Sequence, residues 1–403
     1  MTRVPRIVLP VLVASQFAGT SLWFAVNAVM PDLQRAWGLP PAALATATSA
    51  VQLGFVAGTL AFALLMLADR FAPPRVFLVC SLLGALCNGA IALLDGAFTA
   101  LLALRFAVGF FLAGIYPVGM KIAASWYREG LGAALGVLIG ALVLGTALPH
   151  GLRALGGDAA LAVGGAGPLA SWQIVVLAVS ALAALGGVAV ALLLPAHPVP
   201  PGPRVDPRAL GAIFTDARLR ASVLGYFGHM WELYAFYVLV PLVLATRLHA
   251  TGVSAWAFLV IAAGALGCVG GGLLAGRFGS ARVAGAQLGT GALCGLLAPW
   301  LLTAPWPVFA LWLLVWGVTV AGDSPQFSTL TARNAPPAVV GSVLTFTNCI
   351  GFAISVATIE LFVRAAQAAP LAQVLPWLAL GPLLGLWLLR PLLGRDAQPR
   401  AAG

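Results

Sequence analysis

Charge is what this sequence has least of. Only 8% of its 403 residues are Asp, Glu, Lys or Arg, against roughly 25% in a soluble domain. That shortage excludes water as the main solvent of the surface. No stretch could form a soluble domain, and no Gly-rich phosphate loop of the Walker type occurs, which excludes ATP-driven transport by this chain alone. Cysteine is scarce too. The five cysteines are an odd number, scattered singly through apolar segments with no metal-ligand spacing, and read as small buried hydrophobes. The four histidines have no ligand spacing either, so neither metal nor cofactor is expected. A net charge of +10 carries no nucleic-acid signal here. With so few charges, what counts is the side of the bilayer on which they fall.

What the chain does have is long apolar runs. Hydrophobic residues make up 61% and the mean hydropathy is +1.02, so it is read as an integral membrane protein. The first run, 7–29, exceeds the roughly 7–15 apolar residues of a signal-peptide core and is read as a retained helix. A spanning helix needs about 20 mainly apolar residues. Cutting at polar turns predicts six, over 7–29, 42–67, 76–94, 98–120, 131–149 and 171–194. Six more follow over 220–246, 254–275, 283–302, 307–330, 339–363 and 371–390. Between the sets, residues 195–216 hold six prolines, which deny that stretch regular helix and favour an extended linker. The expected fold is therefore an all-α polytopic membrane protein of twelve helices in two six-helix bundles. Its expected units are 1–194, a linker 195–218, and 219–403.

Orientation follows from the basic residues. With the N-terminus inside, sixteen of the 21 fall in cytoplasmic segments, Arg35, Arg153, Arg247 and Arg364 fall outside, and Arg105 lies within a span. The positive-inside rule puts both termini in the cytoplasm of a bacterial-type inner membrane.

The chain also repeats itself. Arg70-Phe71-Ala72-Pro73-Pro74-Arg75 returns as Arg277-Phe278-Gly279-Ser280-Ala281-Arg282, 207 positions on. Ala113-Gly114-Ile115-Tyr116-Pro117 returns as Ala321-Gly322-Asp323-Ser324-Pro325, 208 positions on. Two echoes at nearly one offset, about half the length, indicate duplication. Parallel six-helix repeats are one transporter design, with the substrate site at their interface.

These features resemble the major facilitator superfamily over essentially the whole length. Asp69 and Arg70 match its Gly-x-x-x-Asp-Arg-x-Gly-Arg-Arg loop; Leu65, Ala72, Pro73 and Pro74 depart from it, and Arg75 supplies a basic residue one place late. Leu101, Arg105, Gly109 and Ala113 match its Leu-x-x-x-Arg-x-x-Gln-Gly-x-x-x-Ala pattern, with Val108 in place of Gln. The antiporter motif of the fifth helix is poorly matched: Gly136, Gly140 and Gly145 are present, but Thr146 stands where Gly-Pro is expected. The resemblance implies that Asp69, with Arg70 and Arg75 around it, latches the halves by docking on the eleventh helix. It also links Arg105 to proton coupling.

Charges inside spans are costly, roughly 2.5–3.5 kcal/mol each on insertion scales, and are functional candidates by default. Glu232 lies about 18 Å into the seventh span, with His229 one turn before it on the same face and able to share a proton. Arg105 lies about 12 Å into the fourth and is a fixed positive charge, suited to an anionic substrate or to pairing with Glu232 or Asp323. Asp323, before Ser324-Pro325, is either a second titrating site or a cap at a hinge. Lys121 and Glu360 lie near helix ends, where interfacial placement accounts for them. Polar stripes add a set of expected cavity-lining residues: Gln16, Thr20, Trp23 and Asn27 on the first span, Thr48, Gln52 and Thr59 on the second, Tyr116 on the fourth, and Asn348 and Ser355 on the eleventh. Rows of glycine on the fifth and eighth spans, Gly132, Gly136 and Gly140 with Gly264, Gly267, Gly270, Gly271 and Gly272, are read as helix-packing positions.

The resulting expectation is a monomeric, proton-coupled secondary transporter of a small solute, with Arg105 leaning it towards an anion. A proton-driven efflux pump for cationic or drug-like compounds is the alternative. A polytopic enzyme lacks a third catalytic partner beyond His229 and Glu232, and a non-transporting sensor would tolerate Glu232→Gln.

Overall fold

The structure is a computed structural model, and it describes residues 4–127, 131–156, 169–197 and 205–394. Arg3, Arg128, Arg204, Arg395 and Arg400 of the charge count, and Pro198, Pro200, Pro201 and Pro203 of the linker, lie outside the described residues. Among the described residues there are twelve helices of spanning length. They are α1 (Val8–Trp37), α2 (Ala43–Leu64), α3 (Pro73–Leu93), α4 (Phe98–Trp126), α5 (Leu131–Gly156) and α6 (Ser171–Leu193), then α7 (Ala217–Ala245), α8 (Ala250–Phe278), α9 (Ser280–Leu301), α10 (Trp306–Asn334), α11 (Val340–Ala368) and α12 (Leu371–Leu393). Eleven are apolar enough to cross a membrane on composition alone. The exception, α9, is diluted by four glycines, Gln287 and Thr290, and Gln287 donates to the carbonyl of Gly267 in α8 at 3.2 Å.

Several helices outrun their apolar stretches. α1 continues past residue 29 to Trp37 because its end charges are paired: Asp32 holds Arg35 on the same helix and Arg153 of α5 at 2.9 Å. α7 begins at Ala217 because Asp216 caps it, accepting from the backbone N–H of Arg218 and Leu219 at 2.7 and 2.9 Å. The linker also departs from expectation. Once Pro207 is passed, residues Ala209–Thr215 form a short helix, whose Ala209 and Ile213 pack with Leu219, Val223 and Val343. At the other end of the linker, His197 stacks on Trp126 at 3.9 Å.

The duplication is carried in the contacts. α2 packs on α4 as α8 packs on α10, α3 on α6 as α9 on α12, α1 on α6 as α7 on α12, and α1 on α5 as α7 on α11. The halves meet through α5 with α8 and α2 with α11. Close approach is achieved at matching glycines. A Cβ on Gly58 would strike the carbonyl of Phe110, and one on Gly267 the carbonyl of Val318; Gly109 with Val51 and Gly317 with Val260 repeat the arrangement in reverse. The glycine rows divide accordingly. Gly264, Gly267 and Gly271 face α10, and Gly136 and Gly140 face α8 across the halves, whereas Gly132, Gly270 and Gly272 meet open space.

The second sequence echo is a pair of helix breaks. α4 is interrupted at residues 113–115 and α10 at Asp323, and each resumes with proline in its first turn, Pro117 and Pro325. Proline has no N–H to donate and fits only at such a start. The first echo is the pair of turns after α2 and α8, which place Arg75 and Arg282 in the first turns of α3 and α9.

Candidate functional site

Two of the three interior charges, Arg105 and Asp323, sit at or beside breaks in helices. α1 is interrupted at residues 21–24 without proline or glycine: the helix tightens, with Trp23 N–H on the Thr20 carbonyl at 3.0 Å and Ser21 Oγ on the Ala18 carbonyl at 2.6 Å. Broken turns leave carbonyls without intrahelical donors. Arg105 supplies them. It is fully buried, its Nη1 donates to Leu22 O at 3.0 Å and its Nη2 to Trp23 O. Arg105 therefore holds α1 open, and its donors go to backbone rather than to Glu232 or Asp323, the partners expected from sequence. At the equivalent place in the second half stands Leu313, beside an unbroken α7.

A planar fork is needed to reach two carbonyls at once, which a lysine ammonium does not provide. Arg105→Lys keeps the buried charge but loses one acceptor, and should cost about 1–3 kcal/mol. The measurement is thermal denaturation of the purified protein. An unchanged melting temperature contradicts this role for Arg105.

In the second half the expected pairing of His229 with Glu232 is replaced by two separate contacts. His229 Nδ1 lies 2.8 Å from Asp323 Oδ1, both side chains being 1% exposed. Asp323 stands at the N-cap position of the helix it precedes, and the side chain it meets is that of His229. Glu232 turns towards α9 and α10: Trp316 Nε1 donates to its Oε1 at 2.6 Å, and its other oxygen packs on Gly291, where a Cβ would come within 2.7 Å. Glu232 is thus enclosed within the second half.

The seam between halves is closed by rings. Trp23 stacks on Tyr234 and Phe352 at 5.9 and 5.4 Å and Phe24 on Tyr234 at 6.3 Å, Phe24 meets Tyr237 edge to face at 6.0 Å, and Phe55 packs tilted on Phe352 at 4.5 Å. Each such pair is worth roughly 0.5–1.5 kcal/mol beyond its burial. Five of them cross the seam, enough to hold it shut unless a solute or a change elsewhere compensates. Two chambers meet at this level. One of about 490 Å³ lies towards the end opposite the Arg70 turn, with Asn27, Gln34, His150, Arg153, Tyr237 and Gln367 in its walls. The other, about 30 Å³, is central and lined by Tyr116, Tyr226, Tyr234, Tyr237, Asn348 and Phe352 among others. Tyr237 faces both.

Of the residues expected to line a cavity, Asn27, Tyr116 and Asn348 do so. The rest are packed or bonded. Trp23 belongs to the ring stack and donates to Gln52 Oε1 at 3.2 Å; Gln16 packs on Gly119; Thr20 bonds the Gln16 carbonyl at 2.7 Å; Ser355 bonds the Phe352 carbonyl at 2.7 Å. Asn27 also donates to Thr48 Oγ1 at 2.7 Å. Asp69 pairs with Lys121 Nζ of α4 at 2.5 Å, which also takes the Ala68 carbonyl at 3.0 Å. Lys121 is therefore engaged in the turn rather than interfacial. Glu360 accepts from Ser49 across the halves at 3.1 Å and pairs with Arg364, so it too is more than an end charge.

Sequence reading missed Trp316, Tyr226, Tyr234, Tyr237 and Phe352. A signal was available: Tyr226, Met230, Leu233, Tyr234 and Tyr237 recur at helical spacing on one face of α7.

No protein of curated function matches the sequence. Several solved structures share its fold. The Escherichia coli fucose:proton symporter aligns over 96% of this chain and 99% of its own, at 15% identity and a TM-score of 0.68. A bacterial homologue of the human lysosomal transporter Spinster, inward-facing and unoccupied, covers 97% of this chain and 95% of its own, at 15% identity and 0.69. The human organic anion transporter TETRAN covers 95% and 99%, at 18% identity and 0.72. The family model of the Major Facilitator Superfamily matches residues 12–358. With that match spanning most of the chain, and two bundles meeting at a closed seam, this protein belongs to the major facilitator superfamily and is a multi-pass secondary transporter, not an enzyme.

Proposed function

We propose that this chain carries a small organic solute across the membrane by alternating access, coupled to protons. Residues 1–194 and 219–403 act as the two rocking units, and a single copy suffices. The observation that carries the reading is the pair of chambers on one seam, at the level where rings of the two halves pack against each other. A path blocked in the middle suits access from one side at a time.

Asp323 is the coupling carboxylate. It is buried at a helix break, next to Ser324, which lines the central chamber, and it contacts His229. The other ionisable groups around it are Tyr226, Tyr237 and Glu232 of α7 and Cys268 of α8. Its contact with His229 and its place behind Ser324 of the wall tie proton binding there to opening of the chamber. Positive charge at the charge-poor end of the molecule is held in place: Arg35 and Arg153 share Asp32, Arg364 pairs with Glu360, and Arg247 donates to the carbonyls of Leu302 and Ala304. The charge asymmetry therefore supports a cytoplasmic position for the Arg70 turn and both termini, in a cell membrane. The sequence lean towards an anion loses its basis, because Arg105 serves α1.

The test is a solute screen in proteoliposomes with an imposed pH gradient. Uptake or release of some solute should follow the gradient and stop when it is collapsed. If every flux ignores the gradient, proton coupling is wrong.

A further inference from the structure

We infer that the central chamber selects a compact organic cation, such as an alkylated ammonium, held against tyrosine faces and balanced by Asp323. The inference rests on the transport reading above and names the substrate class for that same path. Four of the five tyrosines in the chain line this one chamber, three from α7 and Tyr116 from the break in α4, together with Phe352. Aromatic faces carry negative potential and attract a desolvated cation. No Lys or Arg lines the chamber among the described residues.

The polar groups point the same way. Asp323 Oδ1 has the His229 ring as its side-chain contact at 2.8 Å, and the Tyr237 hydroxyl is buried without a partner. Asn348, Ser324 and Ser328 add neutral acceptors and donors. An anion here would meet ring faces, with the Asp323 carboxyl one residue behind the Ser324 wall and no Lys or Arg in that wall to offset it. At about 30 Å³ the chamber holds water at most, so a solute enters only as the halves part and the stack of Trp23 and Phe55 against Tyr234 and Phe352 opens. A cation offers the freed tyrosine and tryptophan faces a replacement for the contacts they lose. That makes opening dependent on the right solute.

The test uses purified full-length protein with two probes of similar size, labelled tetraethylammonium and benzoate. Tetraethylammonium should bind and benzoate should not displace it. Tyr234→Phe keeps a ring face and should bind within about twofold of the unaltered protein, whereas Tyr234→Leu should lose about tenfold or more. Asp323→Asn, which is isosteric and keeps a partner for His229, should lose at least as much, and this arm stands if Tyr234→Leu fails to fold. Binding of benzoate in preference, binding of neither probe, or tetraethylammonium binding indifferent to both Tyr234→Leu and Asp323→Asn overturns the inference. Both probes are then followed in proteoliposomes. Benzoate moved by the pH gradient leaves the transport reading standing and removes the cation. Tetraethylammonium that binds but never crosses supports the chamber chemistry and removes the transport reading.

Discussion

Asp323→Asn is expected to reduce pH-driven solute movement to the background of empty vesicles, while Glu232→Gln leaves most of it. The two acids are equally buried, at 1% exposure each, so burial does not separate them. Their neighbours do. Asp323 stands at the α10 break beside Ser324 of the chamber wall, and the side chain it contacts is the His229 imidazole at 2.8 Å. Glu232 is shut between α9 and α10, with the Trp316 N–H on one oxygen and Gly291 against the other. A glutamine oxygen accepts from that indole as a carboxylate does, so Glu232→Gln removes charge without emptying a contact. Asparagine likewise preserves the shape at 323 but cannot release a proton. Exchange of solute at equal pH on both sides should return in Asp323→Asn once the solute is raised enough to offset its weaker binding, which separates lost coupling from lost folding. The opposite ranking, with Glu232→Gln the inactive variant, would move the coupling role to Glu232.

Gly267→Ala should be the most damaging single methyl in the second half. The added Cβ would fall on the backbone carbonyl of Val318, and neither partner is a side chain that can rotate away. α8 and α10 must separate to accommodate it. Overpacking of this kind costs roughly 1–3 kcal/mol when side chains yield, and a backbone-to-backbone clash belongs at the upper end or above. Gly58→Ala, its counterpart against Phe110, should behave alike, because the two contacts are one contact duplicated. Gly270→Ala and Gly272→Ala meet open space and should be neutral or slightly stabilising. Thermal unfolding of the four purified variants measures this; equal melting temperatures would contradict the packing.

Some parts of the site are legible in the order of residues alone. The repeated Ala-Gly-x-x-Pro at 113–117 and 321–325 marks the breaks in α4 and α10, since proline imposes its own local geometry. The burial costs of Arg105, Glu232 and Asp323 likewise mark them as candidates. The break in α1 is not legible. Ser21-Leu22-Trp23-Phe24 contains no breaker, and the interruption is held by an arginine more than 80 positions away. Nor is the choice of partner for His229, which has Glu232 one turn off on its own helix yet meets Asp323 of α10. Spacing along one helix says which side chains share a face, but not how far that face lies from its neighbours.

The sequence by itself determined the solvent of this protein, its twelve spans, its duplication and the identity of its costly charges. Those properties are sums over local residues, and a bilayer enforces them helix by helix. Only the tertiary structure decided which partner each charge takes, that Arg105 serves a backbone rather than a substrate, and that tyrosines wall the central chamber. In a dry interior a buried donor or acceptor is satisfied by whatever lies within about 3 Å of it, and that distance is set by glycine contacts between helices.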